Sequence, residues 1–139
     1  MSEETVGRII SCSIRLFASR GIQNVTINDI ARQAGVADGT VIYHFKTKNN
    51  LLFVSARTVL FRLLNKTSLD LDREECRSRK IECFIGSFFS YMEESPEDLV
   101  FVSRLDPFFS LDLTTFPRAD LYFIKDMYLN LMIKCIDDC

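Results

Sequence analysis

The residues best suited to chemistry lie between Ala37 and Lys48, in the run Ala-Asp-Gly-Thr-Val-Ile-Tyr-His-Phe-Lys-Thr-Lys. Asp38, Gly39, Thr40, Tyr43 and His44 are small or hydrogen-bonding, and Val41, Ile42 and Phe45 form the apolar complement expected to face a core. On a short helix this leaves one side free to exchange hydrogen bonds at close range. Gly39 has no side chain, so the helix backbone can approach a partner surface directly. Lys48 follows in the first turn of the next helix, where free N–H groups and an ammonium can grip one phosphate together. This is recognition chemistry, not bond-making.

Catalytic alternatives find little support. His44 is the single histidine, and the chain has no GxSxG, HExxH, P-loop or glycine-rich dinucleotide fingerprint. Glu93-Glu94 and Asp137-Asp138 are adjacent pairs, which diverge on a helix and cannot form a facing acid/base dyad. The five cysteines (Cys12, Cys76, Cys83, Cys135, Cys139) contain no CxxC, so the paired spacings of a zinc site are missing. No enzyme, metal or cofactor is expected. The thiols read as buried and free, in keeping with a reducing, cytoplasmic compartment. The acidic start Met1-Ser2-Glu3-Glu4 is unlike a leader, and the longest apolar runs fall far short of the ~20 residues of a membrane span.

The elements that must position these residues all read as helices. With 139 residues, 47% hydrophobic, three Pro and five Gly, the chain can bury a core. Val6, Ile9, Ile10, Ser13, Ile14 and Phe17 define one face of a first helix over about Thr5–Arg20, with Gly21 suited to a positive φ just beyond it. Thr26-Ile-Asn-Asp29 has the pattern of a capping box and opens a short second helix that carries Ile30, Ala31 and Ala34 and ends at Gly35. Val36 plugs the turn, and a third helix runs from near Asp38 to near Phe45. Thr47 caps a fourth, expected to reach about Lys66. Later helices are expected over about 73–94, from Pro96 to near Leu105, and from Pro117, the last with Ile124, Met127, Tyr128, Leu131 and Cys135 on one face. Two short helices joined by the Gly35-Val36 turn and docked on a longer first helix make a helix-turn-helix, whose second helix enters a DNA major groove. Charge points the same way: residues 1–66 hold nine Lys/Arg and four acids, the remainder eight Lys/Arg and 15 acids.

In register, Ile9-Ile10 through Ala18, Arg20-Gly21, Val25 to Ala31, Ala34-Gly35-Val36, Gly39 to Phe45, Lys46-Thr47-Lys48 and Leu51-Leu52 resemble the TetR (tetracycline-repressor-like) family of bacterial transcription regulators. The resemblance covers roughly residues 5–65. It implies an all-α protein: an N-terminal three-helix DNA-binding domain over 1–66, with its helix-turn-helix at about 25–45, then a helical C-terminal region over 67–139 that binds a small ligand and dimerises. It also implies phosphate contacts from Thr26, Thr40, Tyr43 and Lys48, and places at or near base edges for Ala37, Asp38, Gly39 and His44. Two departures are local. Ala37 stands where the family usually has Ser or Thr, which removes a side-chain cap that contributes ~1 kcal/mol. Asn49 and Asn50 replace the usual acids, weakening a capping box from Thr47 without removing the cap. The third is length: the family dimerises through its final two helices, usually the eighth and ninth, and this chain stops at about the seventh. Either its C-terminal region is incomplete by that measure or it pairs through other surfaces; a homodimer is expected where the region is complete.

Eight of the twelve Phe lie beyond residue 80. Aromatics at helical spacing are ordinary core, but a Phe-rich lining between helices also suits an apolar ligand pocket, for which Phe84, Phe88, Phe101, Phe108 and Tyr128 are the candidates. The expected function is a DNA-binding transcriptional regulator, a repressor released from its double-stranded operator by a small apolar or amphipathic effector. No membrane partner is expected. The alternative is a helical protein-interaction module that keeps the fold without operator binding.

Overall fold

The computed structural model describes residues 3–105 and 118–137, with the side chains of 118–125 and 128 outside that description. Among the described residues the regular structure is all helical: α1 (Glu3–Arg20), α2 (Ile27–Ala34), α3 (Asp38–Phe45), α4 (Lys48–Arg73), α5 (Lys80–Glu94), α6 (Pro96–Arg104) and α7 (Arg118–Asp137), with short 3-10 turns at Ile22–Asn24 and Arg77–Arg79. The expected connector at 108–116 lies outside the described residues. Among those described, no helix is long and apolar enough to cross a membrane.

The chain packs as two compact units. One holds α1 to α3, the first part of α4 and α6; the other holds the rest of α4 together with α5 and α7. In the first, α1 buries Ile9, Ile10, Ser13, Ile14 and Phe17, as its 3.6-residue period requires. The Ser13 hydroxyl, fully enclosed, donates to the Ile9 carbonyl at 2.7 Å. Phe101 from α6 is also fully buried and stacks on Phe17, centroids 6.0 Å apart and rings inclined by 22°. Each such side chain taken from water stabilises the unit by about 1.5–3 kcal/mol. α1 packs on α2 and α2 on α3, with Val25, Ile30, Ala31, Val41, Phe45, Leu51 and Leu52 all buried in this unit. In the second unit, Leu71, Phe84 and Cys135 form a core edged by Ile81, Cys83, Leu131 and Met132. The Ser87 hydroxyl donates to Asp70 at 2.6 Å, and Lys66 lies between Asp70 (3.6 Å) and Glu94 (3.3 Å).

Three expectations need correction. α4 continues to Arg73 instead of ending near Lys66, because no Pro or Gly interrupts 48–73 and Leu71 is needed in the second core. α5 accordingly starts at Lys80, not Arg73: the Glu74 N–H closes onto the Leu71 carbonyl and the Cys76 N–H onto the Glu74 carboxylate, which ends the helix. The thiols are not all buried: Cys12 and Cys135 are, Cys83 is half-buried, and Cys76 is exposed with Sγ 3.1 Å from the Ser78 hydroxyl. On α7, Leu131 and Cys135 do face the core, whereas Met127 is exposed and the side chains of Ile124 and Tyr128 lie outside the described residues.

Candidate nucleic-acid interface

The helix-turn-helix is held by local hydrogen bonds at each of its joints. At the start of α2 the Thr26 hydroxyl accepts from the Asp29 N–H (3.1 Å) and the Asp29 carboxylate accepts from the Thr26 N–H (2.9 Å), a complete capping box. The Thr26 N–H foremost, and then the Thr26 hydroxyl, which lies 2.8 Å from the same carboxylate, hold the Asp29 carboxyl below its ordinary pKa. At the other end Gly35 takes φ 69°, ψ 36°, the left-handed conformation that costs other residues strain. There the Val36 N–H reaches back to the Ala31 carbonyl (3.0 Å) and the Gly35 N–H to that of Arg32 (3.3 Å), the paired bonds of a Schellman motif.

α3 then begins without a side-chain cap, as Ala37 implies. Its entry is fixed from α2 instead. The Arg32 guanidinium donates to the Asn28 amide oxygen at 2.9 Å, which turns the amide nitrogen toward Asp38, where it meets both carboxylate oxygens at 2.9 and 3.1 Å. This relay ties the two helices together across the turn. At the end of α3, Thr47 caps α4 by accepting from the Asn50 N–H (3.1 Å), and the Asn50 amide donates to the Phe45 carbonyl at 2.8 Å. Asn50 thus takes over part of the tethering that an acid would perform.

Of the candidate contact residues, Thr26, Ala37, Asp38, Gly39 and Tyr43 are exposed, Tyr43 to 66%; Thr40, His44 and Lys48 are half-buried. The His44 Nε2 is enclosed without a hydrogen-bond partner, and the ring meets Tyr43 edge-on at 5.2 Å. Burial lowers the Lys48 pKa, so its ammonium is already partly stripped of water. Ile42 is 47% exposed, against the expectation that it faces the core: Val41 and Phe45, four residues apart, define the inner side, and Ile42 is turned away from both. The outer face of α3 therefore consists of Asp38, Gly39, Ile42 and Tyr43. The roles of Asn28 and Arg32 are not marked in the sequence, since no spacing rule connects an amide on one helix to an acid ten residues on.

Residues 9–54 match the profile of the bacterial regulatory proteins of the tetR family. The helix-turn-helix unit of this chain is thus a TetR-type N-terminal domain. The fatty acid metabolism regulator protein of Bacillus subtilis (strain 168) is 26% identical over 99 residues, covering 71% of this chain and 50% of that protein. The crystal structure of the transcriptional regulator FadR from Bacillus subtilis in complex with stearoyl-CoA superposes with a TM-score of 0.78 at 25% identity, over 96% of this chain and 69% of that one. A transcriptional regulator from Saccharomonospora viridis in complex with choline shares the fold, with a TM-score of 0.81 at 20% identity over 99% of this chain and 70% of its own. The chain spans half or less of the length of the sequence relatives it matches first.

Three of the aromatic candidates have described side chains. Phe84 is packed with Leu71 and Cys135, Phe88 is half-buried beside Phe89, and Phe101 stacks on Phe17. Phe108 and the side chain of Tyr128 lie outside the described residues.

Proposed function

We propose that this protein is a DNA-binding transcriptional regulator that lays α3 in the major groove, a repressor whose grip is released by a small apolar or amphipathic effector. The observation that carries the reading is the outer face of α3, exposed on a helix-turn-helix locked by the Thr26–Asp29 box, the Gly35 turn and the Asn28–Asp38 relay. Rigid support of this kind is what groove reading needs, because base-edge hydrogen bonds tolerate little misplacement. On this reading Thr26, Thr40, Tyr43 and Lys48 hold phosphates, while Ala37, Asp38, Gly39 and His44 approach base edges. An acyl-bearing effector is favoured by the stearoyl-CoA complex of the Bacillus subtilis regulator, and Phe84, Phe88, Phe101 and Phe108 with Tyr128 are the candidates to meet it. The mechanism is coupling: in a homodimer, an effector that prefers one conformation moves two recognition helices out of match with major grooves ~34 Å apart.

Fluorescence anisotropy against random duplex DNA tests this directly. Binding at low salt should weaken steeply with added salt, each neutralised phosphate contributing about −0.9 to the log–log slope. A flat response would instead favour a helical interaction module that retains the fold.

A further inference from the structure

Lys46 is the one non-glycine residue with a positive φ among the described residues, at φ 65° and ψ −54°. Its own N–H still donates to the Ile42 carbonyl at 2.9 Å, so α3 is intact up to this point. The next N–H, that of Thr47, turns back to the Phe45 carbonyl at 2.7 Å and closes a tight ring around Lys46. These dihedrals and this bond define a γ-turn of the positive-φ form, the rare and strained one. Backbone demands would be met better by glycine here, since a Cβ in this region is crowded. The turn lays the lysine side chain back along the helix, with Nζ 5.4 Å from the centre of the Tyr43 ring. Both residues are exposed, and no acid among the described residues forms an ion pair with Lys46; Asp38, the acid of α3, is held by Asn28. Because Tyr43 stands on the outer face of the recognition helix, the ammonium lying over its ring is on that face too.

We propose that Lys46 is a phosphate clamp at the end of the recognition helix, its ammonium pre-positioned by the strained turn and the Tyr43 ring to take the phosphate that Tyr43 faces. The proposal rests on the DNA-binding reading above. A free lysine loses rotamer freedom when it meets a phosphate; one already held over a ring loses less, so part of the ordering cost is met in folding. The strain is thus retained for binding at the expense of stability.

The test compares Lys46→Gly, Lys46→Ala and Lys46→Arg with the wild-type chain, by thermal unfolding and by anisotropy on random duplex over a salt series. Lys46→Gly is expected to raise Tm by about 2–5 °C as the turn relaxes. It should also weaken binding about five- to tenfold near 0.1 M salt and make the slope shallower by about 0.9 per protomer. Lys46→Ala should bind as weakly without the gain in Tm, and Lys46→Arg should keep the slope. A Lys46→Gly chain that binds like wild type overturns the clamp, and one with a lower Tm overturns the strained turn. Wild-type protein that shows no salt-dependent binding overturns the DNA reading itself and this proposal with it.

Discussion

Gly39 gives the sharpest test of the recognition face, because stability and binding should move in opposite directions. It is exposed in the first turn of α3, its φ is not positive, and a Cβ built there meets nothing within 4 Å. A side chain can therefore leave the backbone here without a clash at its Cβ, and the position is open to solvent. Replacing an exposed helical glycine removes a conformational penalty of ~0.8–1 kcal/mol. For a chain this size that corresponds to a Tm increase of about 2–5 °C. In the groove the same side chain stands between the helix backbone and the base edges. Holding α3 away forfeits contacts that contribute about 1–3 kcal/mol each. Loss of one of them weakens specific binding by roughly five- to 150-fold. Anisotropy with a duplex selected from a random pool, run beside thermal melts of the same samples, measures both quantities; Gly39→Ala should fall between. An unchanged isotherm for Gly39→Leu would mean that the outer face of α3 is not the reader. Weaker binding together with a lower Tm would mean that the substitution acts through the fold, and the reasoning would fail on that count as well.

Other substitutions separate anchoring from support. Lys48→Ala should weaken binding to every duplex alike and flatten the salt slope by about 0.9, so a loss confined to one sequence would contradict a phosphate role. Asn28→Ala leaves the Asp38 carboxylate without its amide donor; urea unfolding should register a loss of about 0.5–1.5 kcal/mol, and an unchanged midpoint would count against the relay. The Asp29 carboxyl is held below its unfolded value of 3.8 by the Thr26 N–H and hydroxyl, so its contribution is present above about pH 4 and is lost as pH falls through the lower folded value. Urea midpoints between pH 3 and pH 7 should therefore show a shallower acid limb for Asp29→Asn than for the wild-type chain.

What was legible in the sequence was mostly local. The Thr26–Asp29 box joins residues three apart, the Gly35 turn spans six, and α3 runs over the residues that its polar and apolar pattern marks out. Such features are set by dihedral preference and by partners on the same or the next turn, so residue type and spacing suffice to read them. Even the missing cap at Ala37 was visible, because an alanine has nothing to offer an N–H.

Tertiary structure decided the rest. The amide of Asn28 found Asp38 only because Arg32 oriented it across a folded turn. Leu71 carried α4 beyond Lys66 because a core with Phe84 and Cys135 was there to receive it, and α5 then began late. Ile42 stayed outside because the inner side of α3 was already occupied by Val41 and Phe45. Lys46 accepted a strained φ that no propensity favours, closed by the Thr47 bond and lying against Tyr43. For Asn28, Leu71 and Ile42 the deciding partner lies on another element or depends on the helix packing; for Lys46 it is the junction of α3 with α4 that imposes the turn. A sequence pattern ranks which residues want burial or a bond; which partner each one meets is settled when the helices pack.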